Sequence, residues 1–73
     1  MFSSAYMKLT DKETLSPIFI DHLRICCLQP EDDHTIVYMI FSQKFAVKES
    51  APEILKACDY THQHWLEENA GEL

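Results

Sequence analysis

The chain gathers its apolar positions into short segments separated by polar turns over its first two thirds, and then changes period. Tyr6-Met7-Lys8-Leu9-Thr10 places apolar side chains on one face of an extended segment, the two-residue period of a half-buried strand. Asp11 to Thr14 is a polar turn. Apolar character resumes at Pro17-Ile18-Phe19-Ile20 and continues from Leu23 to Leu28, so 16–28 reads as one long bent strand or two short ones. After the acidic turn Gln29-Pro30-Glu31-Asp32-Asp33, the stretch Thr35 to Phe41 is rich in β-branched and aromatic residues, and is a strand. Ser42-Gln43 predicts a tight hairpin into Lys44 to Lys48.

The period then lengthens. Ile54, Leu55, Cys58, Thr61, His62, Trp65 and Leu66 share one face of a helix, while Glu53, Lys56, Tyr60, Gln63, His64 and Glu67 point away. Its start is signalled by Ser50 and Glu53, spaced as a capping box, and by Pro52 in the first turn, where a missing N–H costs nothing. Gly71 is placed to stop it. The expectation is an α+β fold: an antiparallel β-meander of three to four strands followed by one C-terminal amphipathic helix over about 51–69. Residues 1–73 form a single domain, with 1–5 frayed.

Composition narrows the function classes. At 73 residues the chain is near the lower limit for independent folding, with roughly 3–5 kcal/mol of net stability expected from one core. Oligomerisation would relieve that limit, and a homodimer is expected. Twelve acids against six bases give a net charge of −6, which repels phosphate backbones and argues against nucleic acid as a partner. The longest apolar run, 36–41, is too short to span a bilayer. No charged and then apolar leader opens the chain, so no membrane insertion and a cytoplasmic location are expected. Three cysteines, two of them adjacent, suit thiols in a reducing compartment.

Candidate chemistry is sparse. Cys58 and His62, four apart on the helix, could offer a dyad to a metal. His64 points about 160° from His62 and cannot join them, and no Cys-x-x-Cys completes a site. No oxyanion loop or phosphate cradle is available with a single glycine. No enzyme activity and no cofactor are expected. Glu31, Asp32 and Asp33 lack the alternation and glycine of a calcium loop and read as a solvated turn or a docking point for a basic partner. A sheet with one helix leaves a face open. Ile36, Tyr38 and Ile40, or their alternates Val37, Met39 and Phe41, must then meet solvent or a partner. His62 and Trp65 on the helix are the other contact candidates.

The segments Met7-Lys8-Leu9-Thr10, Ile18-Phe19-Ile20, Thr35-Ile36-Val37-Tyr38, Phe45 to Ser50 and Glu53-Ile54 together resemble the small flagellar and swarming-motility protein family. The likeness covers 7–56. It implies the same strand-then-helix order, no catalytic residues, and a motility accessory role. The residues themselves point to a small acidic, non-enzymatic adaptor or modulator that binds another protein; this would also suit a phage- or mobile-element-encoded inhibitor of a host protein. A metal- or redox-responsive module built on Cys58 and His62 is the further alternative.

Overall fold

A computed structural model describes residues 5–70. Of the stretch 1–5 expected to fray, 1–4 lie outside the described residues, as does the stop at Gly71. Ala5 is buried with its carbonyl bonded by His22, so this residue is not frayed as expected. Five strands and one long helix follow in order: β1 (Tyr6–Thr10), β2 (Pro17–Asp21), β3 (Ile25–Pro30), β4 (Thr35–Met39), β5 (Lys44–Val47) and α1 (Ala51–Asn69). The α+β class and the C-terminal helix are those read from the sequence. The strand count is five because 16–28 is broken by a single 3₁₀ turn at His22–Arg24. Asp21 caps that turn: its carboxylate accepts the Leu23 amide at 3.0 Å and lies 3.4 Å from Arg24 Nε. The local side-chain bond competes with continued strand pairing.

The pairings nearly form a ring. β1 pairs antiparallel with β2, and β3 with β4 with β5. The end of β5 then returns to the end of β1. Asp11 lies opposite Val47, Lys12 N donates to Ala46 O at 3.0 Å, and Lys48 N donates to Thr10 O at 2.8 Å. The ring stays open between β2 and β3, where the 3₁₀ turn replaces pairing. Helix α1 packs on β1, β3 and that turn.

Alternation decides what lies inside. Met7, Leu9, Ile20, Val37, Met39, Val47 and Ile54 form the core, with Ile18, Ile25, Leu28, Phe45, Ala57 and Cys58 packed around it. Thr35 is fully buried, and its hydroxyl donates to Glu49 O at 2.8 Å, so the polar group is satisfied. The helix presents Ile54, Ala57, Cys58 and Thr61 inward. Leu55, expected on this face, is exposed instead. The core occupies a narrower arc than the sequence stripe, and Ala57 takes the place of Leu55. His64, expected to point away, is half-buried with its ring 4.3 Å from that of Tyr60.

The helix start is built as its residues dictate. Ser50 Oγ accepts the Glu53 amide at 3.3 Å, and Glu53 Oε1 accepts the Ser50 amide at 2.8 Å. These bonds, led by the one from the Ser50 backbone, hold the Glu53 carboxyl below its ordinary range. One residue earlier, Glu49 accepts both the amide and the hydroxyl of Thr10 at 2.9 Å each, tying the helix entry to β1.

Candidate functional site

The two alternates for the open face are resolved by register. Thr35, Val37 and Met39 point inward, so Ile36 and Tyr38 face out and are half-buried. Ile36 lies between Gln29 and Ala46, and Tyr38 between Cys27 and Lys44. The Tyr38 hydroxyl donates to Gln29 Oε1 at 3.1 Å. On the other sheet the outward residues are Tyr6 and Lys8, opposite Asp21 and Phe19. Phe19 is 63% exposed. Lysines spread over forty residues of sequence are thus brought to the outer face: Lys8 and Lys44 on strands, and Lys48 just past β5. None of these three makes an ion pair among the described residues.

The β4–β5 hairpin departs most from expectation. Its turn is Phe41-Ser42, not Ser42-Gln43, and β4 ends at Met39. Met39 N donates to Gln43 O at 2.8 Å and closes the loop. Phe41 and Ser42 both take left-handed backbone, with φ of 64° and 67°, the paired positive φ of a type I′ turn. That conformation suits glycine or asparagine and costs a bulky residue roughly 1–2 kcal/mol. Phe41 is nevertheless 85% exposed, and Ile40 beside it is exposed too. Neither glycine nor asparagine stands at 41 or 42, so the left-handed backbone has no marker in the sequence.

The remaining candidates are elsewhere. Glu31, Asp32 and Asp33 are all exposed in the β3–β4 connection. Glu31 accepts from Gln29 Nε2 at 2.6 Å. Asp33 holds His34 Nδ1 at 2.7 Å, and the bond to His34, helped by the charge of Lys12, draws its carboxyl below the ordinary value. Asp32 has no hydrogen-bond or ion-pair partner among the described residues.

His62 and Trp65 sit on the helix side, away from Ile36 and Tyr38, and meet His22, which the sequence did not single out. Backbone N and ring Nδ1 of His22 both bond Ala5 O, at 3.0 and 2.7 Å. A carbonyl only accepts, so His22 Nδ1 carries hydrogen. In neutral His22, Nε2 is therefore an acceptor, and His62 Nδ1, 3.0 Å away, donates to it. The His62 ring stacks on Trp65 at 5.5 Å and 19°. This chain fastens the 3₁₀ turn between β2 and β3 to α1. Forty residues separate the two histidines, and no local pattern foretells such a pair.

Cys58 and His62 do not form a metal dyad with further ligands. The Cys58 thiol points at Met7 Sδ, 3.6 Å away, and burial, then the charge of Asp59, pushes it upward from the usual thiol value. His62 is committed to His22. Among the described residues no three His, Cys, Asp or Glu side chains are grouped for a metal. Nor is any helix among them long and apolar enough to cross a membrane. Comparisons with family models, curated proteins and solved structures give no match.

Proposed function

We propose that this chain is a non-enzymatic protein-binding module that docks its partner on the outer end of the β4–β5 hairpin. The observation that carries this reading is Phe41, a large aromatic held 85% exposed on left-handed backbone. Phe41 buries little of its ring in the fold, and strain of this kind concentrates at functional positions. Ile40 beside it, with Ile36 and Tyr38 on the adjoining face, supplies an apolar surface around one aromatic anchor. Lys44 gives the surface a polar rim. The partner is a protein with an apolar pocket for Phe41, and a second copy of the chain is one such candidate.

The test pairs stability with capture. Phe41→Gly should keep or raise the melting temperature while abolishing recovery of the partner by affinity capture from cells of the source organism. Capture undiminished in Phe41→Gly would remove the reading. Light scattering on the same two proteins separates self-association from a foreign partner: a dimer that dissociates in Phe41→Gly identifies the second copy.

A further inference from the structure

We infer that Cys26 and Cys27 form a vicinal dithiol site for one soft monovalent cation, Cu(I), held as a two-coordinate dithiolate. Strand register sets this pair apart from the hairpin tip. Strict alternation would turn one of two adjacent cysteines inward. The structure does not alternate there: Ile25 pairs with Met39 and Cys27 with Tyr38, so Cys26 is an extra residue in the strand. Ile25 and Leu28 both pack against the core. The two residues between these inward positions are left facing out, and both thiols are exposed. In a bulge two residues oppose one on the partner strand, here Cys26 and Cys27 opposite Tyr38. β3 pairs with β4 alone in its sheet, so the bulge is open to solvent.

The chemistry follows from what this pair can and cannot do. Adjacent Cα atoms are about 3.8 Å apart across a trans peptide, below the range of about 4.4–6.8 Å that disulfides span. The two sulfurs are thus disfavoured as partners for each other. A tetrahedral zinc site needs about four ligands, and no group of even three is present among the described residues. Cys58, the remaining thiol, is turned toward Met7 in the core. Two neighbouring soft donors suit a closed-shell cation that accepts two thiolates, as Cu(I) does. Binding releases both thiol protons and leaves a complex of one copper, two sulfurs and one negative charge, with no change of oxidation state.

Titrating the reduced chain with Cu(I) under anaerobic conditions, against a chromogenic chelator, tests the site. One Cu(I) per chain with two sulfur neighbours in X-ray absorption is expected. Cys26→Ser or Cys27→Ser should each weaken binding about 100-fold, the lower end of what a linked second contact contributes. Cys58→Ser should leave it unchanged. Both substituted positions are exposed, and an unchanged circular dichroism spectrum confirms that folding is not what was lost. Equal affinity in the Cys26→Ser, Cys27→Ser double variant would overturn the site. So would one Cu(I) shared between two chains with three or four sulfurs.

Discussion

The two ends of β5 are both joined to the next element by a short connection, and they have opposite outcomes. At the Val47 end, 47–54 is closed by partners. Lys48 N meets Thr10 O, Glu49 takes two bonds from Thr10 and one from Thr35 to its carbonyl, and Ser50 and Glu53 cap each other. Val47 and Ile54 are fully buried there. At the Lys44 end, two residues take left-handed backbone and the larger one projects into solvent. Stability is concentrated at one end of a four-residue strand and contact surface at the other. A small domain can carry a strained tip because the opposite end is over-determined.

Substitutions that break this contrast should rank by depth. Ile54→Ala removes a fully buried side chain at the closed end, and should cost about 3 kcal/mol. That approaches the whole expected stability of the domain, so urea titration should find it largely unfolded. Glu49→Ala deletes the carboxylate that holds Thr10, and should lower stability by about 2 kcal/mol in the same titration. Ser50→Ala should cost about 1 kcal/mol. The cap also carries a pH signature. The Glu53 carboxyl is depressed in the folded state, so its contribution is full above the ordinary value near 4.5 and is lost as pH falls through the lowered one. Glu53→Gln should therefore flatten the acid limb of a stability–pH curve and leave the neutral limb parallel. The smallest effect has the opposite sign. Phe41→Gly relieves roughly 1–2 kcal/mol of backbone strain against roughly 0.5–1 kcal/mol of added chain entropy. A rise of about 0.5 kcal/mol in chemical denaturation would set the tip apart from the junction; a fall of similar size would mean Phe41 supports the fold.

The same contrast explains what was legible. The helix bounds were readable because a capping box, a first-turn proline and a 3.6-residue period all agree within a few residues. β1 was readable from its apolar period, β4 from its β-branched and aromatic run, and β5 from the hairpin that leads into it. The bulge at Cys26 was not, since one inserted residue reverses the facing of everything after it. The Phe41-Ser42 turn carries no glycine or asparagine to mark it. His22 with His62, and the outer-face lysines, depend on how distant segments are brought together, which local pattern does not encode. Of the two alternating sets on β4, the sequence left the outward one open and the register settles it as Ile36 and Tyr38, while Glu31 and Asp33 are engaged by their own neighbours.

The near-ring of strands has a consequence in time. Thr10 waits for Glu49, thirty-nine residues further along the chain, before either is satisfied. β1 with β2, and β3 with β4, are local hairpins that can form as soon as they leave the ribosome. The contact that joins the two sheets is the least local of the set, and contacts of that kind slow folding. While the chain is still being synthesised, the two hairpins have their inner faces uncovered until β5 and the first turns of α1 arrive together. Release of the final third is therefore the step at which the protein becomes a folded object, and the most direct competitor to that step is pairing of the exposed strands with another nascent chain.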